Sequence, residues 1–145
     1  RSWLASRVAP AGDRMIFSVQ DDREASSGFE IWATDGTPGG TQRLHTFQPL
    51  TFNPFHDPEN LVSDGRRVFF AAHDGVHGRE IWESDGTPEE TRLVVDLAPG
   101  GYSAIPPVDL VDPIRTSLLL ANGYLFFAAD DGKVGVEPWA VPLNP

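Results

Sequence analysis

The sequence predicts an all-β fold made of propeller-type blades, each blade being an antiparallel meander of four strands. The first observation is an internal repeat: GREIWESDGT at residues 78–87 recurs as GFEIWATDGT at 28–37 and, in shortened form, as GVEPWAV at 135–141. The second is the spacing of the tryptophans in these three copies, 50 and 57 residues, a period typical of blades. The third is that Gly, Pro and β-branched residues interrupt every window long enough for a helix.

The repeats predict a single domain, residues 1–145, with two complete blades and a third blade of three strands. We expect the blades at about 6–47, 61–97 and 117–141, each strand being bounded by turn residues. Too little chain follows Val141 to supply a fourth strand for the third blade. Residues 2–5 are apolar and have no local partner, which makes them a candidate closing strand.

Two strands are predicted to be covered on both faces. VFFAA at 68–72 and LFFAA at 125–129 are apolar at every position rather than at alternate positions. Strands of this kind lie between two neighbouring layers. In the third copy Asn122 and Gly123 separate two apolar runs and predict a tight hairpin turn, because both residues tolerate positive φ.

Composition excludes several classes of partner. The formal net charge is −10, whereas binding to nucleic acid or to an anionic membrane surface requires a Lys/Arg-rich face. No apolar run approaches the ~18 residues needed to cross a bilayer, so we expect no membrane span. The chain contains no cysteine, which excludes disulfides and thiolate metal sites but leaves the compartment open.

The second copy carries a longer signature. It reads FFAAHDG at 69–75 and GREIWESDGT at 78–87, then Asp-Leu at 96–97, Pro-Gly at 99–100 and Ser-x-x-Pro at 103–106. This pattern resembles the bacterial ELWxxDGT repeat family. The resemblance implies propeller-like repeats in a secreted or surface-exposed bacterial protein, located outside the cell, on its surface or in the periplasm. It provides no catalytic residues to transfer to this chain.

The other copies depart from that pattern. The first has a three-residue insertion before Gly28 and lacks Pro-Gly after Phe47. The last has Pro138 in place of Leu and ends where the final repeat of such a protein ends.

The repeated residues are predicted to form a structural framework. Each Asp-Gly-Thr lies between two predicted strands, where Asp accepts hydrogen bonds from the backbone two residues on and Gly adopts positive φ. A carboxylate ligand is the alternative role for Asp, but recurrence at the same turn favours the structural role. The framework comprises Glu30, Trp32, Asp35, Gly36, Thr37, Glu80, Trp82, Asp85, Gly86, Thr87, Glu137 and Trp139.

The glutamate of each copy lies two residues before the tryptophan, so both side chains share one face of a strand. If that face is buried, the carboxylate needs hydrogen bonds, and we expect backbone amides of the Asp-Gly loop to supply them. The alternative is a shared Ca²⁺, with Asp74, Glu80, Asp131 and Glu137 as candidate ligands. Because no dense Asp-x-Asp-x-Asp loop is present, we expect no metal and no other cofactor.

Two histidines offer a second metal hypothesis. His73 and His77 flank Asp74 and could chelate Zn²⁺, although a solvent-facing loop is the favoured interpretation. The sequence contains no Cys/His pair and no Gly-x-Ser-x-Gly elbow. We therefore predict that the chain is not an enzyme.

Three blades are fewer than the roughly four to eight of closed propellers, so we predict that another chain completes the array. In one version two copies associate into about six blades, and residues 2–5 of one chain complete the third blade of the other. In the other version the chain docks on blades of a different polypeptide.

Three functional hypotheses follow. The leading one is a non-catalytic scaffold or interaction module that makes contact through loops such as residues 98–117. The second is a carbohydrate-binding propeller in which Tyr102 or an exposed Trp forms a sugar platform. The third is a hydrolase in which clustered Asp and Glu act with a metal.

Overall fold

The computed structural model describes residues 3–21, 28–47, 59–106 and 118–144, and these residues form eleven β-strands and no helix. The predicted all-β class is therefore confirmed. The strands are β1 Trp3–Ala11, β2 Arg14–Asp21, β3 Phe29–Thr34, β4 Gln42–Phe47, β5 Glu59–Ser63, β6 Val68–His73, β7 Arg79–Ser84, β8 Arg92–Val95, β9 Leu119–Ala121, β10 Tyr124–Asp130 and β11 Val136–Pro142.

The strands form three antiparallel sheets in which neighbours in sequence are neighbours in space. The first sheet has the order β1-β2-β3-β4, the second β5-β6-β7-β8 and the third β9-β10-β11. The predicted strand counts of four, four and three are confirmed. Consecutive pairing needs only short connections, and Asn122 (φ 50°) with Gly123 (φ 77°) forms the predicted tight turn between β9 and β10.

The opening residues are placed differently from the prediction of a separate closing strand at 2–5. Residues 3–5 belong to β1 and pair with Asp21, Gln20 and Val19 of β2, beyond a bulge between Ala5 and Val8. They extend the first sheet because β2 is long enough to pair with both parts of β1. Residue 2 lies outside the described residues.

The three sheets pack face to face in chain order around two apolar cores. The first inter-sheet core joins the first and second sheets, and the second inter-sheet core joins the second and third. In β6 alternate residues enter different cores: Val68, Phe70 and Ala72 the first, Phe69 and Ala71 the second. All five are fully buried, which confirms the prediction that this strand is covered on both faces. Burial of each phenylalanine contributes about 2–3 kcal/mol.

The third sheet differs from the second because only one of its faces is covered. Leu125, Phe127 and Ala129 of β10 enter the second inter-sheet core, whereas Phe126 is 39% exposed. The prediction that residues 125–129 are covered on both faces is therefore wrong for this chain. The described residues include no fourth sheet that could cover the outer face.

The first strands of the first and second sheets meet at one end. Ala11 at the end of β1 forms a parallel bridge with Gly65, and the Gly12 N–H donates to the Gly65 carbonyl over 2.9 Å. The Ser63 hydroxyl also donates to the Pro10 carbonyl. These polar contacts join the first and second sheets at one end of their packed faces.

Candidate functional site

The two Asp-Gly-Thr segments form the same hydrogen-bonded turn. Asp35 Oδ1 accepts from the Thr37 N–H (2.9 Å) and hydroxyl (2.7 Å), and Asp85 accepts from Thr87 at the same two distances. Thr41 then donates its hydroxyl to the Thr37 carbonyl over 2.7 Å. Chiefly through its bond to the Thr37 hydroxyl, the pKa of Asp35 is lowered. These carboxylates are thus engaged in closing their own turns.

Glycine is required in both turns by backbone conformation. Gly36 and Gly86 each have φ 92°, a backbone conformation that residues with a Cβ rarely adopt. Gly86 also accepts a bond from the preceding sheet, because Arg14 Nη1 lies 3.0 Å from its carbonyl oxygen.

In the first and second sheets, an arginine at or immediately before the start of the second strand reaches the next sheet. Arg14 of the first sheet reaches Gly86 of the second, and Arg67 of the second reaches the Asn144 carbonyl beside the third, over 2.8 Å. The third sheet has Tyr124 at this position, three residues before the phenylalanine that pairs with the tryptophan.

The three repeated glutamates occupy three different environments. Glu30 accepts hydrogen bonds from Trp32 Nε1 (2.8 Å) and Arg43 Nη1 (2.9 Å). Glu80 is fully buried, and Glu137 is exposed on β11. The repeat therefore does not create one common carboxylate site.

Glu80 is a buried carboxyl group whose hydrogen-bond donors the sequence does not identify. Burial raises its pKa to about 7, although the N–H groups of Leu97, Ala98 and Ala104 favour the charged form. The Ala98 N–H lies 3.3 Å from Oε1, and Oε2 makes no hydrogen bond of ordinary geometry to any described residue. The donors come from the segment after β8, and the expectation that the Asp-Gly loop supplies them is wrong for this glutamate.

That segment, residues 97–106, is packed against the start of β7. Ile105 donates its N–H to the Arg79 carbonyl over 3.0 Å, and Ala98, Ala104 and Ile105 are buried in the second inter-sheet core. A Cβ at Gly78 would clash with the Tyr102 carbonyl. In the described part of the predicted contact loop 98–117, Ala98, Ala104 and Ile105 are buried, whereas residues 99–103 are exposed, Tyr102 by 77%. Residues 107–117 lie outside the described part.

The three repeated tryptophans differ in burial, as the three repeated glutamates do. Trp82 is buried against His45 and Phe47 of β4, with ring centroids 5.0 Å away in each case. Trp139 is half-buried at the second inter-sheet core, and Trp32 is half-buried on the outward face of the first sheet. Together with Tyr102 they lie on separate parts of the molecule, and no pair of them stacks within the described residues.

The candidate metal ligands are engaged in local bonds. Asp74 accepts from the Val76 and His77 N–H groups and lies 2.6 Å from His77 Nδ1. The Asp131 carboxylate accepts from the Lys133 N–H and pairs with its ammonium group over 3.2 Å. His73 Nδ1 accepts from the Gly75 N–H over 3.1 Å. Among the described residues, no group of three or more His, Asp or Glu side chains could hold a metal ion.

A surface groove of about 600 Å³ lies between the second and third sheets around Arg67. The Arg67 guanidinium already binds Asp64, Glu83 and the Asn144 carbonyl. The charge of Arg67 is thus engaged in internal contacts, whereas Arg66 in the same groove is exposed.

Within the described residues, two sheet faces at opposite ends of the array have no further sheet packed on them. The front open face belongs to the third sheet and consists of Leu119, Tyr124, Phe126 and Ala128. Leu119 on this face is 61% exposed.

The rear open face belongs to the first sheet and consists of Val8, Met15, Phe17 and Trp32. Val8 is 61% exposed and Met15 40% exposed. The sequence predicts that another chain completes the array, but it does not identify these two faces, because their exposure depends on which sheets lie opposite.

The open edge of the third sheet is formed by β11, which pairs only with β10 within the described residues. Leu143 donates its N–H to the Gly123 carbonyl over 2.8 Å, so the odd-numbered residues of this strand point their N–H groups towards β10. The nitrogens of Pro138 and Pro142 therefore face outward. Two of the donors that a fourth strand would need are missing from this edge.

No protein-family model, curated protein or solved structure matches this chain. The resemblance to ELWxxDGT repeats stays a prediction. No helix long and apolar enough to cross a membrane occurs in the residues that the structure describes.

Proposed function

We propose that the chain is a non-catalytic scaffold and interaction module built from propeller-type blades, and that another protein surface completes it. The observation that carries the proposal is the pair of open apolar faces on the first and third sheets. Each face has residues of the kinds that are buried inside the chain wherever a neighbouring sheet is present. Exposed apolar faces of this kind mark interaction surfaces.

The repeated polar groups support a non-catalytic role. Asp35 and Asp85 close their own turns, and Glu80 is enclosed by the segment that follows β8. A catalytic carboxylate must reach a substrate, whereas these groups bind the protein's own backbone. The framework therefore holds the sheets in place and leaves recognition to other surfaces.

The arrangement of the sheets supports the propeller-type interpretation. Successive sheets pack face to face in chain order, and the ends of β1 and β5 meet at the Gly12–Gly65 hydrogen bond. Blades around an axis have this order, with the first strands innermost. The repeat resemblance adds a location outside the cell, on its surface or in the periplasm.

A site-specific photocross-linking experiment tests the proposal. A benzoylphenylalanine residue at position 126 is expected to cross-link to a protein chain when the protein is expressed in its source cells, because this position lies on the front open face. Mass spectrometry identifies the captured chain and the captured residue. The same photoreactive residue at position 102 is the matched control, since Tyr102 is an exposed aromatic residue outside both open faces.

Protein capture at position 126 with little at 102 supports the proposal. Equal capture at the two positions, or none at 126, contradicts it.

A further inference from the structure

The occupant of each open face can be inferred from the contacts already present inside the chain. The front of each sheet is the face directed towards the next sheet in chain order, and the rear is the opposite face. Ile16, on the front of the first sheet, lies in one core with Phe70 and Trp82 on the rear of the second. Phe69, on the front of the second sheet, lies in one core with Phe127 on the rear of the third. Twice, therefore, the front of one sheet covers the rear of the next.

The rear open face has the same Phe–Trp pair as the covered rear faces of the second and third sheets. Phe17 pairs with Trp32 across β2 and β3, as Phe70 pairs with Trp82 and Phe127 with Trp139. In the second and third sheets, this Phe–Trp pair contacts the preceding sheet. In the first sheet the same pair is directed outward and is only half-buried.

The front open face is the matching counterpart. Phe126 occupies the position of Ile16 and Phe69, and Leu119 beside it occupies the position of Ala9 in β1. Tyr124 replaces Arg14 and Arg67, which donate hydrogen bonds to the next sheet.

We propose that a second copy of this chain covers these faces head to tail, the front open face of each copy packing on the rear open face of the other. This inference rests on the proposed function and names its partner. Two copies that make both contacts leave neither face open, and such an assembly is a closed symmetric dimer. Contact occurs through faces, because Pro138 and Pro142 remove strand-pairing donors from the edge of β11.

The contact also specifies a polar partner for Tyr124. Inside the chain, Arg14 donates to the carbonyl of Gly86 in the second Asp-Gly-Thr turn. The corresponding carbonyl in the first turn belongs to Gly36. In the dimer the Tyr124 hydroxyl faces this turn of the other copy.

Sedimentation equilibrium of the purified chain tests the inference. The expected mass is twice that of the 15.8 kDa chain. Phe126→Asp places a charge on the front open face and Met15→Asp places one on the rear, and each is expected to weaken the dimer at least about 10-fold. Val76→Asp also replaces an exposed apolar side chain with aspartate, but in a loop outside both open faces, and is expected to leave the dimer intact.

Mixing the two interface variants distinguishes the head-to-tail arrangement from other dimers. The mixture retains one intact front face and one intact rear face, so it is expected to form a heterodimer through a single contact. Circular dichroism of each variant verifies that it is folded.

A wild-type chain that remains monomeric at about 100 μM overturns the inference. So does a dimer that Phe126→Asp dissociates and Met15→Asp does not, because that result indicates front-to-front contact. If the wild type is monomeric and position 126 captures a different protein, the proposed function stands and the second copy is excluded.

Discussion

At the scale of single residues, the repeat shows that one residue type can serve different purposes at equivalent positions. Glu30 binds its neighbouring indole and an arginine, Glu80 is enclosed by backbone, and Glu137 is exposed. The environment follows from what covers each strand. Glu80 has the segment 97–106 over it, whereas β11 has no further strand beside it in the described part of the chain.

Glu80 gives a pH-dependent prediction. Its pKa is raised from 4.5 to about 7, so between these values the folded protein retains a proton that the unfolded chain has released. The contribution of this proton to the free energy of unfolding is fully present below about pH 4.5 and is lost as the pH rises to about 7. The total is about 3 kcal/mol.

Glu80→Gln removes this titration. We expect the free energy of unfolding of E80Q, relative to the wild type, to increase by about 2–3 kcal/mol between pH 5 and pH 8, as measured by urea denaturation. Glu137→Gln, at an exposed position, controls for the loss of one negative charge. If the difference in unfolding free energy between E80Q and the wild type is the same at pH 5 and pH 8, Glu80 does not titrate in this range.

At the scale of secondary-structure elements, β11 is a strand whose composition limits what it can pair with. In the other sheets Ile31 and Ile81 stand at the position of Pro138, and they pair with His45 and Val95 of the fourth strands. Proline at this position removes the N–H group that faces outward. The third sheet is thereby protected against edge-to-edge association, a common route to aggregation.

Restoring the missing donors is expected to reverse this protection. The double substitution Pro138→Ile and Pro142→Val supplies two outward N–H groups and β-branched side chains, so we expect concentration-dependent aggregation with increased β-structure. Light scattering and thioflavin fluorescence measure it. Pro38→Val, in the first turn and away from this edge, is the matched control. If the double variant remains as dispersed as the control, the prolines do not protect the edge.

The strands themselves could be predicted from sequence because their signals are local. Turn residues such as Asn122 and Gly123 bound the apolar runs, and the repeat fixes their order. The exposure of Phe126 could not be predicted in this way, since it depends on whether another sheet lies opposite. The donors to Glu80 were missed for the same reason, because they come from a segment whose path over β7 has no local signal.

At the scale of the whole molecule, the second sheet is the centre of the structure. It contributes to both inter-sheet cores, and all residues of β7 are buried. The first and third sheets each contribute to one core only. Stability should therefore be distributed unevenly along the chain.

Hydrogen exchange measures this distribution. We expect the amides of β6 and β7 to exchange most slowly and those of β9 and β11 fastest, because opening the second sheet disrupts both cores. The measurement uses the Phe126→Asp variant at a concentration at which sedimentation shows it to be monomeric, so that association does not protect the open faces. Protection of β11 equal to that of β7 would indicate that the three sheets open as one unit.

The direction of the packing has a genetic consequence. Since every contact joins a front to a rear, tandem duplication of the coding segment for one repeat would add one covered interface and leave the two ends chemically unchanged. Deletion of a repeat would likewise leave a compatible front and rear. An array of this type can change in length by recombination without a new binding surface having to arise first.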